Sequence, residues 1–474
     1  MLFTEQFKLQ QNPEDDWFDP ILDVDTEVFI DPFLLFEYEN ENFNDAHKKI
    51  VNFFSDAFKL AATSSRKSES LVEKKLERIL TFPEVDEICL GYSGNSTGGS
   101  GTGEGFSENI ASSIHKAIDV GMKEFNHFEE IAILESGIGP DRISDMCANI
   151  IKEELIQYTQ KICKKYSVPV KSLRVRTFNE RFLQWRLNDY DLPLNPYNEK
   201  PILLVPSSIL RDLPSIGPDS FKDWAWTNEN EILRNDFNFE IKSQINKQDI
   251  IELATQRTDL VDRFIEYVER QGSNAYDLEL DKKLVYRWYE FSKGIAQKES
   301  VQLPTPEDEE GLKSFVSKLI EAFNNYIVNN GGYKLLWNEK PRVPRKEEAS
   351  QLLLYGMVKE HCRLNNVDLT RESDAGRGPV DFKFSNGYKP RVLIEVKRAN
   401  SSKLEHGLES QLPQYLASED VKVGYYVVIV QKDEELSKAR NLKDEAVSLT
   451  EKLGKEIQVF IIDATDQKPS ASKI

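Results

Sequence analysis

The sequence predicts an α/β protein in two parts. A larger N-terminal mixed α/β region, 1–235, is followed by a helical connector and linker, 236–305, and a C-terminal domain, 306–474 with its core at 345–474. Three observations carry this reading. Phe382 and Phe384 alternate with Asp381 and Lys383, and Val392, Ile394 and Val396 alternate with Leu393, Glu395 and Lys397, which is the two-residue period of strands. Leu354, Met357, Val358 and His361 recur at helical spacing just before them. In the N-terminal part, the apolar run KPILLVP at 200–206 reads as a buried strand among helix-like segments.

Taken in order, the chain opens with DDWFDPILDVDTEVFIDPF, in which Asp15, Asp16, Asp19, Asp23, Asp25 and Asp31 are interleaved with aromatics and prolines. The spacing is not that of an EF-hand loop, so the run reads as a turn-rich entry into the core, with Asp-Pro pairs setting turns. An amphipathic helix follows at about 44–62. An apolar run at 85–90 then leads into a loop holding Gly91, Gly94, Gly98, Gly99, Gly101, Gly103 and Gly105, and a helix comes after it. That layout suits a phosphate-cradling loop, but the lysine and hydroxyl of a P-loop are missing and a surface loop explains the glycines as well. Glu135, Asp141, Arg142 and Asp145 form a candidate second polar site. The capping demands of the helix beginning near Asp141 account for the last three equally.

Residues 236–300 read as helical, with YRWYEF at 286–291 as a core stripe. Pro304, Pro306 and the acidic run PEDEEG mark a boundary. A helix at 312–330 ends at Gly331-Gly332. Beyond it lie the two alternating runs, with the turn signal Asn386-Gly387 between them. If the runs pair, Asp381, Glu395 and Lys397 converge on one side of a small sheet.

The bulk numbers bound what such a chain can do. Its 474 residues suffice for two or three domains, and 39% hydrophobic with 30% charged residues suits a globular protein. No stretch approaches a membrane span and no signal pattern opens the chain, so no membrane partner is expected. Cys89, Cys147, Cys163 and Cys362 lack metal-like spacing and read as reduced thiols, which points to the cytoplasm. A net charge of −19 excludes indiscriminate binding of nucleic acid. A nucleic-acid contact would need a local patch, for which Arg371, Arg377, Lys383, Arg391, Arg398 and Lys403 are candidates.

Two carboxylates and an ammonium gathered on a strand pair suit phosphodiester hydrolysis. Carboxylates from neighbouring strands can hold Mg²⁺, with Mn²⁺ as an alternative, and a lysine two residues after a ligand can orient water and counter transition-state charge. By itself a Glu-any-Lys triplet is more often a solvated ion-pair face.

The stretch GRGPVDFKFSNGYKPRVLIEVKRAN resembles the PD-(D/E)xK nucleases, the restriction-endonuclease-like superfamily. Val380-Asp381 stands for its Pro-Asp, with Pro379 one place early, and Glu395-Val396-Lys397 for its second element. The family's αβββαβ core maps onto a helix at 346–363, strands at 366–371, 379–384 and 391–397, a helix at 404–417 and a strand at 423–430. An added helix and strand follow at 434–453 and 456–462. The resemblance implies that Asp381, Glu395 and the Val396 backbone carbonyl bind the metal, with Lys397 acting on water. It also implies a glutamate on the first helix, where Glu348 is preferred to Glu347, and a RecB-like Gln–Tyr pair, Gln411 and Tyr415. The implied activity is a metal-dependent deoxyribonuclease, duplex DNA being preferred to RNA, set in bacterial anti-phage defence. The N-terminal region would then sense a trigger ligand or a partner protein. A non-cleaving binding module of the same fold is the alternative.

Overall fold

A computed structural model describes residues 1–66, 70–91, 102–119, 127–134, 138–229, 232–233, 245–281, 285–298, 305–338, 342–374, 379–386 and 390–466. The chain divides into two compact units, Met1–Tyr276 and Asp277–Ile474. The division falls inside the stretch 236–305 that reads as a connector, because two helices of that stretch, Lys247–Gln256 and Thr258–Gln271, lie within the first unit.

The first unit is mainly helical. Helix α1 (Ala46–Thr63) buries Ile50, Phe53, Phe54, Ala57, Phe58 and Ala61, a stripe at helical spacing. Helices α2 (Leu71–Ile79), α3 (Thr102–Asp119), α4 (Pro140–Ile150) and α5 (Lys152–Tyr166) follow. Strands β1 (Lys171–Asn179) and β2 (Gln184–Leu192) then form a hairpin of nine antiparallel pairs. Its Phe178 packs 4.7 Å from Phe53, and Phe54 stacks on Phe128 at 4.8 Å.

Residues 200–206 depart from the expected strand. Ile202, Leu203, Leu204 and Val205 are buried, yet they form no ladder. Their amides are satisfied one at a time: Ile202 N–H by the Pro193 carbonyl, Leu203 N–H by that of Glu87, and Leu204 N–H by Thr159 Oγ1. Burial requires each amide to find an acceptor, and scattered acceptors serve as well as a neighbouring strand. The aspartates of the opening run have structural duties. Asp31 caps the helix Pro32–Glu37 and accepts from both Ser215 groups, and Asp16 accepts from Tyr38 Oη and Ser208 N–H.

The second unit opens with helices α6 (Trp288–Lys298), α7 (Glu309–Asn329) and α8 (Glu347–Leu364). Three strands follow, β3 (Asp368–Asp374), β4 (Pro379–Ser385) and β5 (Arg391–Arg398). Next comes a helical segment in three parts: α9 (Leu404–His406), a π-helical turn Gly407–Gln411, and α10 (Leu412–Ser418). Strand β6 (Val423–Val430), helix α11 (Leu436–Leu453) and strand β7 (Glu456–Asp463) complete it.

The five strands form one sheet in the order β3-β4-β5-β6-β7, the first two pairings antiparallel and the last two parallel. Both faces are covered. Leu393 and Val428 share a buried cluster with Leu408, Leu412, Tyr415, Leu442 and Ala446 on one side. On the other, Tyr355 of α8 stacks on Phe382, and Ser317 of α7 hydrogen-bonds Tyr425. Every residue of β6 is buried, as a central parallel strand requires. The chain is thus a mixed α/β protein whose C-terminal unit is built on a five-stranded sheet.

Candidate active site

The site forms where β4 and β5 part. Their pairing runs from Ser385↔Arg391 to Phe382↔Ile394 and ends there. Two residues beyond Ile394, the Val396 N–H donates to the Asp381 carboxylate at 2.6 Å instead of to a backbone carbonyl. Two residues on, the Arg398 N–H donates to Glu347 Oε2 at 3.0 Å. The edge of β5 released by β4 is therefore satisfied by two carboxylates, one from β4 and one from the first turn of α8. A strand edge freed of its partner must find acceptors, and here they are chemically competent side chains.

The alternation of β5 puts Glu395 and Lys397 on the same face as Leu393. Lys397 Nζ lies 2.9 Å from Glu395 Oε1, 3.1 Å from Glu347 Oε1 and 3.2 Å from the Val396 carbonyl oxygen. Asp381 Oδ1 accepts from Gln351 Nε2 at 2.9 Å. Gln351 stands four residues after Glu347, so one face of α8 supplies both contacts. Glu395 is 3% exposed, and its Oε2 has no hydrogen-bond partner among the described residues.

Electrostatics follow from that crowding. Burial, and then the charge of Glu395, pushes the Asp381 carboxyl well above the usual carboxylate range. Burial raises Glu395 too, against the attraction of Lys397. Burial works against the charge on Lys397, but Asp381, Glu395 and Glu347 together outweigh it and raise its pKa. Tyr415 is buried and raised first by that burial and then by the charges of Glu395 and Asp381, which puts it within electrostatic reach of the site.

The segment after β5 is held close by a glycine. A Cβ on Gly407 would come within 2.4 Å of Tyr426 Oη, which itself donates to the Leu404 carbonyl at 2.6 Å. Tyr426 pairs with Glu395 across the sheet, so this approach seats the helix beside the acid. The π turn places Pro413 as the second residue of α10, so the helical segment runs on from α9 through the proline. A widened turn accommodates the missing proline N–H, and such turns recur at functional sites. Gln411 lies in this turn with its Oε1 buried and unpartnered among the described residues.

The structure thus gathers Asp381, Glu395, Lys397 and the Val396 carbonyl, with Tyr415 near. At the first helix it brings Glu347, and not the preferred Glu348, to the strand edge, while Glu348 makes no hydrogen bond or ion pair among the described residues. Adjacent residues on a helix point about 100° apart, so only one faces the sheet. Gln351 lies one turn before Leu354 on the same helix, and helical spacing is the sequence signal that could find it.

Among the described residues, the basic side chains do not form one patch. Lys383 and Arg391 both contact Glu419, at 2.7 and 3.5 Å. Arg391 begins β5 and Lys397 lies six residues further, about 20 Å along an extended strand. The side chain of Arg371 and the whole of Arg377 lie outside the described residues. Arg398, which donates to the Arg345 carbonyl, and exposed Lys403 remain at the end of β5 nearest the site.

The candidate second polar site resolves into packing contacts. Asp145 is half-buried, desolvation raises its carboxyl well above the usual range, and it accepts from Val85 N–H at 3.3 Å. Asp141 abuts Gly91, whose φ of +132° no side-chain-bearing residue would readily adopt. These contacts tie α4 to the 83–91 stretch. Glu135 and glycines 94, 98, 99 and 101 lie outside the described residues.

A donor set of carboxylates plus a backbone carbonyl is the hard-oxygen kind that Mg²⁺ prefers. Two observations make the residues fit such an ion. Glu395 Oε2 is buried without a partner, and the Lys397 ammonium stands among three oxygens at 2.9–3.2 Å as a resident cation. As they stand, no three or more His, Cys, Asp or Glu among the described residues are already grouped to hold a metal, so binding would require the ammonium to turn aside.

Fold and site together define an α/β sheet protein with a charged, largely buried fork at a strand edge. Residues 8–217 match a family described as a domain of unknown function, DUF8370, and residues 312–433 match a second so described, DUF8371. No curated protein and no solved structure matches the chain. Among the described residues no helix is long and apolar enough to cross a membrane.

Proposed function

We propose that the chain is a metal-dependent nuclease hydrolysing phosphodiester bonds of DNA. Its second unit would carry a PD-(D/E)xK, restriction-endonuclease-like site, and its biological setting would be bacterial anti-phage defence. One observation carries the reading: Asp381, Glu395 and Lys397, from two strands that separate at that point, share a largely buried fork with the Val396 carbonyl and a further acid, Glu347.

Asp381, Glu395 and the Val396 carbonyl would hold Mg²⁺ or Mn²⁺. When bound, the ion supplies Lewis-acid polarisation of a phosphate oxygen and lowers the pKa of water. The protein's own groups do the rest. Gln351 and the Val396 N–H fix both oxygens of Asp381. Glu347 holds the Lys397 ammonium beside Glu395, where it counters charge on a phosphate and orients a water. The apolar packing of Leu393, Leu408 and Leu412 limits water at the buried side of the fork.

A second reading is favoured by the ammonium itself. Because Lys397 already neutralises the acids, a non-cleaving DNA- or partner-binding module of this fold accounts for the same geometry. Supercoiled plasmid incubated with the purified full chain and Mg²⁺ or Mn²⁺ separates the two. The nuclease reading expects nicking that EDTA, Asp381→Asn and Glu395→Gln each abolish. Plasmid left intact under every metal condition, or cut equally by both variants, overturns it.

A further inference from the structure

The hairpin β1–β2 of the first unit has features that folding alone does not require. Its inner part is anchored: Trp185 Nε1 donates to the Ile79 carbonyl at 3.0 Å, and Arg176 donates to the Thr81 carbonyl through both Nη atoms at 3.2 Å. Phe178 and Trp185, paired across the strands, pack against Phe53 and Phe82. Beyond that anchor, the tip is exposed and differs in chemistry. The Glu180–Leu183 turn is closed by Asn179, whose side-chain oxygen accepts from Phe182 N–H at 3.1 Å, with Leu183 at a φ of +47°.

Phe182 stands on this tip 51% exposed. The guanidinium groups of Arg181 and Arg186 lie 5.5 and 4.7 Å from the Phe182 ring centroid. With its amide oxygen turned toward Arg186, Gln184 accepts from Nη2 at 2.6 Å and from Nε at 2.8 Å, which holds that guanidinium in place. Among the described residues no carboxylate pairs with Arg181 or Arg186. The nearby acids are committed elsewhere: Glu180 faces Lys49 at 3.6 Å and Asp189 faces Arg174 at 3.6 Å. Between Lys171 and Leu192 there are five basic residues and three acids, in a chain whose acids outnumber its bases 80 to 61. The local reversal of charge, the two unpaired cations and the exposed ring occur together at one hairpin turn.

We propose that this hairpin tip is a docking element for duplex DNA. Arg181 and Arg186 contact phosphates on either side of a base step, and Phe182 inserts at that step. Two-stranded ribbons fit a DNA groove, and an apolar wedge flanked by cations is the usual device for prising base pairs apart. A platform for single strands would instead present several aromatic rings for successive bases, and here one ring is exposed at the tip. The geometry therefore favours a duplex over a single strand. The inference stands apart from the nuclease reading, because binding by the first unit requires no cleavage and no metal.

The test uses the full chain in EDTA, a fluorescein-labelled duplex, its single strand, and fluorescence anisotropy across a salt series. Wild type is expected to bind the duplex more tightly than the strand. Arg181→Ala/Arg186→Ala should weaken duplex binding at least about tenfold at low salt and make the log–log salt slope shallower by about two. Phe182→Ala should cost at least about fivefold on the duplex and leave the slope unchanged, and Phe182→Trp should restore binding. Arg174→Ala, whose charge Asp189 already meets, should stay within about twofold. All four positions are exposed, so melting curves matching wild type should accompany every variant. Absence of duplex binding by wild type, tighter binding of the single strand, or unchanged affinity in the Arg181/Arg186 and Phe182 variants overturns the proposal. Because EDTA is present throughout, an inactive nuclease site leaves every one of these outcomes readable.

Discussion

Replacing Lys397 with methionine removes the cation from the fork and keeps most of its volume. Nζ lies 2.9 Å from Glu395 Oε1 and 3.1 Å from Glu347 Oε1, and Lys397 is 9% exposed. Breaking a buried ion pair by deleting one member costs about 3–5 kcal/mol, because the other charge is left uncompensated. Here at least two carboxylates lose the same partner, so Lys397→Met should cost that much near pH 8 in EDTA. The pH dependence has a definite sign. Lys397 is raised above its unfolded value of 10.5, so its stabilisation is fully present below that value and is lost only at higher pH. Asp381 and Glu395 are raised above 3.8 and 4.5, so their ionisation destabilises the fold above their folded pKa values and has no effect once both are protonated. The penalty of Lys397→Met should accordingly shrink as pH falls toward those values. Calorimetry of the full chain at two pH values checks this, following whichever transition the substitution moves. A loss of equal size near pH 8 and pH 5, or no loss at all near pH 8, would refute the electrostatic account of the fork.

Three further outcomes are expected. Glu347→Ala should lower both stability and metal-dependent cleavage by removing the acceptor of Lys397 Nζ and Arg398 N–H, whereas Glu348→Ala should stay within about 0.5 kcal/mol of wild type by denaturant unfolding. Gln351→Ala should leave Asp381 Oδ1 without its donor and reduce metal affinity about 10–100-fold by isothermal titration, with little change in melting temperature. Gly407→Ala should cost about 1–3 kcal/mol, because the new methyl meets Tyr426 Oη and pushes the helix away from the strand carrying Glu395.

How far the sequence disclosed this protein depended on whether a pattern had one cause or two. Strands β4, β5 and β6 and helix α8 lie within a residue or two of their expected limits, because the alternation of β4 and β5, the unbroken apolar run of β6 and the helical stripe of α8 each fit one kind of element. The convergence of Asp381, Glu395 and Lys397 was legible for the same reason. The choice between Glu347 and Glu348 was not, since it depends on the phase at which α8 meets the sheet, which no local periodicity records. The run at 200–206 has the apolarity of a strand, but burial without a ladder looks identical in sequence. The hairpin at 171–192 hid for the opposite reason: Arg174, Arg176, Asn188 and Asp189 put polar groups on both of its faces, which blurs the alternation. The basic residues near the motif cluster along the chain yet spread over the length of β5, because extended backbone separates neighbours in sequence faster than a helix does.

The fork also predicts a stabilising substitution at a proposed catalytic residue. Asp381 is half-buried beside Glu395, and its raised pKa records first the desolvation of its charge and then the repulsion from Glu395, both fully expressed when it is ionised. For each unit of that shift, neutralising Asp381 relieves about 1.4 kcal/mol at pH values above its folded pKa. Asparagine fits the available partners. Its oxygen can keep the bond from Val396 N–H, and its amide can donate to Gln351 once the Gln351 amide turns over. Asp381→Asn should therefore raise the melting temperature of the full chain near neutral pH in EDTA, and the gain should vanish as pH approaches 3.8. Mg²⁺ should stabilise wild type by ordinary ligand linkage and leave Asp381→Asn unmoved. Thermal melts of both proteins with and without the metal measure all of this. A destabilised Asp381→Asn that keeps its hydrogen bonds would mean that the carboxylates do not repel one another in the folded chain. An equal Mg²⁺ shift in both proteins would place the ion elsewhere.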